Sequence, residues 1–519
     1  MLTRLFIWGD TSSLWAHARD ASGQPTLARR ADAQAPALKD RVALDLLEDL
    51  ERARAQDAPL RVIIQLHGPL HSLAASLPQR FPMQVHRTLK SSNALVATVR
   101  AQQLTKLAQD ASVRWISPDR VVTQLTTSEP IGHIAVTTGM NQVAISAAYP
   151  SRPSGDNITI GIIDSGTCHW CDPIWSDDGI SRSMGMVELS GENLEQTDPG
   201  GDYDGGDIYG HGFHVTSIAT GNGYLYGMET DPAWEFGGIA RGARSLSFRV
   251  LDSEGKGYAS NVIEGIEQAV DVMLYADPSL RVINLSLGTA PKESYRTDPL
   301  CKATTYAVQK GLVVVVAAGN YGMNEKSQIV HGGILSPAID PNVITVGAVD
   351  TKGTNTRTDD VITTFSSRGP TLGCTGSSIS TCDLLPKPDL VAPGANIIAG
   401  AYPWNHLSYA YPKTCVFTYW DEYAQQELCA WGSLLRLNGT SMAAPMVSGT
   451  VALMLDANPS LTPALIKAIL QYTAIPVHKA GVLDSTSFVW GGSVVQSSTL
   501  VTPSSSLVDG QSMTWGTTP

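Results

Sequence analysis

The chain has 519 residues, of which 43% are hydrophobic and 16% charged, the balance of a folded globular protein rather than a disordered one. A formal net charge of −12 with no long Lys/Arg run argues against nucleic acid and against an anionic membrane surface as partner. No apolar run approaches the roughly 20 residues that span a bilayer, so no transmembrane segment is expected.

The chain begins with an Ala-, Arg- and Gln-rich stretch, in which Leu5-Phe6-Ile7-Trp8 behind Arg4 is too brief for a signal-peptide core. Between Lys39 and Arg54, Val42, Leu46, Leu47 and Leu50 recur at helical spacing, so residues 1–58 read as a loose arm ending in a helix. Strands are predicted at Arg61–Leu66, Met83–Leu89, Ala94–Val99 and Val113–Ile116, and helices at Leu70–Gln79 and Gln102–Asp110. The order β-α-β-β-α-β makes 59–124 a small ferredoxin-like α+β domain. Leu125–Ile134 carries no apolar period, which makes 125–145 a linker.

A larger α/β pattern occupies 146–491. The runs Ile158–Ile163, Leu246–Leu251, Val282–Leu287, Leu312–Ala317 and Val343–Val349 are nearly continuous in apolar residues, as in parallel strands buried on both faces. Ile263, Ile266, Val270 and Met273, behind Ser260 as N-cap, predict an amphipathic crossover helix, and Thr462–Thr473 predicts another. The expected architecture is a doubly wound, mostly parallel sheet, in which ligands bind beyond the carboxyl ends of the strands. Ala401–Leu437, rich in Tyr and Trp, reads as an insert that either covers the surface or shapes a substrate rim. The Ser-, Thr- and Gly-rich tail, 492–519, is expected to have little order.

Cys374 with Cys382 and Cys415 with Cys429 are spaced for short-loop disulfides, which points to an oxidising compartment. The odd total of seven leaves a thiol over, assigned to Cys301. Cys168, His169 and Cys171 fall short of the four ligands of a structural zinc site.

Four polar residues stand at strand ends or helix starts, each beside glycine. Asp164 closes the run Ile158–Ile163, His211 lies between Gly210 and Gly212 ahead of a helical run, and Asn320 follows the run ending in Gly319. Ser441 opens the small-residue segment Asn438–Gly449, where Pro445 fits only near a first helical turn. Singly these read as turn and cap residues. Together they form a catalytic set: Ser441 as nucleophile, His211 as its base, and Asp164 holding the imidazole. The Asn320 amide and the Ser441 N–H would donate to an oxyanion, a term of roughly 3 kcal/mol per donor.

At these residues the sequence resembles the subtilisin-like serine proteases, the subtilases. The matching motifs are Ile162-Ile163-Asp164-Ser165-Gly166, Gly210-His211-Gly212-Phe213-His214-Val215, Ala317-Ala318-Gly319-Asn320 and Asn438-Gly439-Thr440-Ser441-Met442-Ala443-Ala444-Pro445. The resemblance implies a serine endopeptidase acting on polypeptides through an acyl-enzyme. It also implies an inhibitory propeptide domain over the small domain, a zymogen cleaved in the linker, and secretion to an extracellular or periplasmic space as a monomer. Gly255-Lys256-Gly257 and Ser286-Leu287-Gly288 would be the backbone edges that pair with the substrate. No cofactor is required. Structural calcium is implied near Asp198, Asp202, Asp204 and Asp207, although their spacing is not that of an EF-hand and a solvated acidic loop is the plainer reading. Phe213, Thr216 and Ser217 depart from the family pattern around the histidine. The alternatives are a non-catalytic binding protein on this fold and a serine esterase.

Overall fold

The computed structural model describes residues 38, 41–54, 57–124, 153–168, 182–192, 206–223, 236–324, 326–354, 357–375, 381–402, 405–422, 425–429, 434–475 and 477. The linker 125–145, the tail 492–519, His169, Cys171 and the acidic residues Asp198, Asp202 and Asp204 lie outside them.

The first sheet is formed by β1 (Pro59–Leu66), β2 (Met83–Leu89), β3 (Ala94–Arg100) and β4 (Val113–Pro118), antiparallel in the spatial order β2-β3-β1-β4. α2 (Leu70–Arg80) and α3 (Ala101–Ala108) supply the two helices of the predicted β-α-β-β-α-β order. Successive strand residues point to opposite faces, which explains why β1 is apolar at nearly every position. Val62, Ile64 and Leu66 share a core with Leu77, Leu104 and Leu107, and with Leu46 and Leu50 of α1 (Leu44–Arg54). Ile63, with Val96 of β3, joins the core of the larger body instead.

The larger body is built on an eight-stranded sheet. Its strands are β6 (Thr159–Asp164), β7 (Ser183–Glu188), β8 (Arg244–Arg249), β10 (Leu280–Leu285), β12 (Val313–Ala317), β13 (Ile344–Asp350), β14 (Val361–Ile362) and β15 (Leu390–Pro393). The order is β14-β13-β12-β10-β6-β8-β7, with β15 also on β13, and every pair is parallel except β13 with β14. Both faces are covered. Val313 and Val315 share a core with α4 (His211–Thr220) and α8 (Thr440–Ala457), while Val314 and Val316 pack with α5 (Ala259–Tyr275) and α6 (Pro299–Lys310). The strand order reverses around β6, so Asp164 emerges at the crevice where a doubly wound sheet binds its ligands.

The two bodies meet through buried polar groups. Glu293 accepts from Trp115 Nε1 at 2.6 Å, Ser117 Oγ at 2.8 Å and Arg120 Nη1 at 2.7 Å, and Arg120 Nε also donates to Asp45 Oδ2 at 2.9 Å. The N-terminus of α5 departs from the predicted cap. The helix begins at Ala259, and Ser260 is itself a donor: its N and Oγ bond to Asp119 Oδ1 and Oδ2 at 2.9 and 2.7 Å. A carboxylate from the small domain thus meets the positive end of this helix. Cys374 pairs with Cys382 and Cys415 with Cys429, Cys168 is disulfide-bonded, and Cys301 is the free, buried thiol among the described cysteines.

Candidate active site

Asp164 is the last residue of β6 and His211 the first of α4. His211 Nδ1 lies 2.7 Å from Asp164 Oδ1, and both side chains are fully buried. Asp164 Oδ1 also accepts from Ser165 N at 2.8 Å. An ionised carboxylate can only accept, so this contact puts the imidazole proton on Nδ1 and leaves Nε2 a free acceptor. Nε2 has no hydrogen-bond partner among the described residues.

Asp207, which the sequence offered as a calcium ligand, ties the two loops together. Its Oδ1 accepts from Ser165 Oγ and Gly210 N, both at 2.8 Å, and its Oδ2 from Phe213 N at 2.7 Å. Burial pushes its carboxyl above the ordinary value, and these donors act in the opposite direction. The carboxylate therefore faces the backbone of the histidine loop. Both glycines beside His211 are required by space. Gly210 has φ +98°, and a Cβ on Gly212 would lie 2.3 Å from Gly166 O.

Ser441 sits in the first turn of α8. Pro445, four residues on, has no N–H, so the Ser441 carbonyl lacks its helical partner. Ser286 Oγ fills that place, donating to Ser441 O at 2.9 Å. Asn284 Nδ2 donates to Ser286 Oγ at 2.9 Å, and Ser448 Oγ closes the network on Asn284 Oδ1 at 2.8 Å. In return the Ser441 hydroxyl donates to Ser286 O at 2.9 Å rather than to the imidazole. Asn320 is held by its oxygen, which accepts from Thr440 N at 3.0 Å and Thr440 Oγ1 at 3.1 Å. Its Nδ2 is buried with no partner among the described residues.

The two predicted edges flank a strand of the chain itself. β5 (Val121–Gln124) lies between β9 (Lys256–Tyr258) and β11 (Leu287–Gly288), antiparallel to both. Lys256 faces Thr123, Gly257 faces Val122, Leu287 faces Gln124 and Gly288 faces Thr123. Val122 is fully buried in one core cluster with Leu251, Ile263 and Leu287. Gly255 is not in the ladder. It turns the chain at φ +73°, its N–H bonded to Asp252 O at 3.0 Å. Ser286 is likewise off the ladder, beneath Ser441. The supporting parts played by Asp207, Ser286 and Thr440 were not deduced from sequence. Pro445 at the fourth position after Ser441 was the available signal for an orphaned carbonyl.

The subtilase family model matches residues 155–497. The chain belongs to the subtilase family. Among its relatives, this subtilase is 29% identical over 321 residues to serine protease AprX of Bacillus subtilis (strain 168), a match that covers 61% of each chain. It is 28% identical over 391 residues to subtilisin E of the same organism, covering 75% of this chain and 78% of the relative. The subtilase superposes on fervidolysin of Fervidobacterium pennivorans, described as a keratinolytic enzyme related to subtilisin, with a TM-score of 0.57 at 20% identity. That superposition covers 82% of this chain and 59% of fervidolysin, and it establishes the fold. No helix among the described residues is long and apolar enough to cross a membrane.

Proposed function

We propose that this subtilase is a serine endopeptidase acting through an acyl-enzyme, and that it is made as a zymogen that processes itself. The observation that carries the reading is the course of β5. It fills the groove between β9 and β11 as an extended peptide, and its last residue faces Leu287, next to the residue whose carbonyl holds the Ser441 hydroxyl. Main-chain pairing of this kind accepts a polypeptide of varied sequence, as an endopeptidase needs. It gives an esterase no advantage.

In the reaction the Ser441 side chain turns from Ser286 O toward His211 Nε2. Its oxygen attacks the carbonyl carbon of the scissile bond and its proton passes to Nε2. Asp164 stabilises the imidazolium, while Asn320 Nδ2 and the Ser441 N–H donate to the oxyanion. The carbon–nitrogen bond breaks as the imidazolium returns the proton to the departing amine. Water, deprotonated by the same imidazole, then releases the acyl group from Ser441.

We place the cleaved bond at the end of β5, because Gln124 faces Leu287, the residue after Ser286, whose Oγ donates to Ser441 O. Cleavage there would leave the small domain as a separate inhibitor whose own C-terminal strand occupies the substrate groove. The disulfides Cys374–Cys382 and Cys415–Cys429 support an oxidising, extracellular or periplasmic setting. So does a relative named as an extracellular serine proteinase, from Thermus sp. (strain Rt41A).

The test is a fluorophosphonate probe on purified protein, with mass spectrometry of the mature N-terminus. Labelling lost in Ser441→Ala, and a mature chain starting at Leu125, are expected. Absence of labelling in the processed wild type would sink the enzyme reading. A Ser441→Ala protein that matures to the same size without added protease would sink self-processing.

A further inference from the structure

The insert after β16 (Ile397–Gly400) packs against the loop that carries His211. His406 N donates to Ile208 O at 2.8 Å and Leu407 N to Tyr209 O at 3.1 Å, so the insert backbone is tied to the residues just before the histidine. Asn405 is fully buried and caps the short helix α7 (His406–Ala410), its Oδ1 accepting from Ser408 N at 2.8 Å. Its Nδ2 donates to Ser408 Oγ at 2.6 Å and to Tyr402 O. The same side chain lies against Gly210: a Cβ on that glycine would come 2.3 Å from Asn405 Oδ1.

Two further contacts fall on α4. Tyr402 meets Phe213 edge to face, ring centroids 6.4 Å apart. Ser217 Oγ accepts from Gly400 N at 2.8 Å while donating to His214 O at 3.0 Å. Phe213 and Ser217 are departures from the family pattern; Phe213 meets Tyr402 of this insert, and Ser217 meets Gly400 at the end of β16, which leads into it. The insert's other end returns as β17 (Leu434–Leu437), antiparallel to β16 and three residues ahead of α8. β17 also touches α4, where His214 Nε2 meets Leu435 O at 3.0 Å. One continuous segment therefore grips the histidine loop at Gly210, Phe213 and Ser217 and then runs into the serine helix.

We propose that Asn405, with Tyr402 beside it and Ser217 holding Gly400 further along α4, is a positioning element that sets where His211 Nε2 stands relative to Ser441. This rests on the endopeptidase reading. A loosened imidazole would still accept substrate on β9 and β11, but it would meet the hydroxyl less often. Displacement by about 1 Å is enough to cost roughly 100-fold in rate.

The test compares Asn405→Ala, Asn405→Asp and Ser217→Ala with Trp420→Ala, an exposed position of the insert. Each mature protein is assayed for peptide hydrolysis and for its rate of fluorophosphonate labelling. Asn405→Ala is expected to lower kcat roughly 10- to 100-fold with KM within about twofold, and to slow labelling by the same factor. Asn405→Asp keeps the Oδ1 cap and the contact with Gly210 but replaces the Nδ2 donor to Tyr402 O with an acceptor, so it should recover only part of the rate. Trp420→Ala should match the wild type. Ser217→Ala, which removes the acceptor for Gly400 N and the donor to His214 O, should fall between and serves if Asn405→Ala does not fold. Wild-type kcat and labelling in either Asn405→Ala or Ser217→Ala, with only a lower Tm, would overturn the proposal. A wild type that neither labels nor cleaves refutes instead the endopeptidase reading.

Discussion

On the histidine side of the site, folding alone completes the geometry. Asp164, Ser165, Asp207, Gly210, Gly212 and Phe213 are joined by direct hydrogen bonds of 2.7 to 2.9 Å, and the imidazole is fixed in one tautomer. On the serine side the supports are equally firm, but the reacting atoms are not yet joined. Ser441 Oγ rests on Ser286 O, and Asn320 Nδ2 and His211 Nε2 have no partner among the described residues. On the proposed mechanism the base is built in advance, and the contacts that matter most in a transition state are left for the substrate to complete.

The sharpest way to break this contrast is Ser441→Ala, expected to lower kcat by about 10⁶-fold and to abolish probe labelling. Asp164→Asn attacks the prebuilt side. By giving the imidazole the wrong tautomer it should lower kcat by about 10⁴-fold while leaving KM near wild type, read from steady-state peptide hydrolysis. Asn320→Ala attacks the unfinished side. A fall in kcat of about 10²- to 10³-fold at nearly constant KM is expected, and a rise in KM alone would mean that Asn320 binds the ground state instead.

The docking of the small domain offers two smaller tests, both in a Ser441→Ala background so that no processing intervenes. Glu293→Ala leaves Trp115 Nε1 and Ser117 Oγ without their acceptor and removes one of the two carboxylates on Arg120. A loss of about 3 kcal/mol in denaturant unfolding is expected. Asp298, which caps α6, has its carboxyl pushed up to about 6 by burial and then by the Glu293 charge. A carboxyl raised above its ordinary 3.8 binds extra protons in the folded state, so its contribution is full below that value and is lost as pH rises through about 6. Asp298→Asn keeps the cap without the charge. It should gain about 1–2 kcal/mol on its parent between pH 4.5 and 7, measured as the change in their unfolding difference. An unchanged difference across that window would place the titration elsewhere.

Strand positions, the nucleophile helix and the four polar residues at element ends were legible in the sequence because each depends on local pattern. Continuous apolar runs marked strands covered on both faces, and glycines marked the tight turns around His211. Less was legible where a partner comes from far along the chain. Ser260 looked like a cap, yet Asp119 supplies the carboxylate at α5 from 141 residues away. Gly255 looked like part of a substrate edge, but the ladder with β5 runs from Lys256 to Tyr258 and leaves it out.

By itself the sequence determined the family, the α/β order and the residue types the chemistry requires, because side-chain periodicity and turn chemistry act over a few residues. Tertiary structure decided how those residues are held. Only packing could bring Ser286 under Ser441, make Asp207 the brace of the histidine loop, and lay β5 in the groove. The insert shows the difference most clearly. Its composition marked a covering loop or a rim, but its place against Gly210, Phe213 and Ser217 depends on contacts between segments roughly 190 residues apart, which no local pattern records.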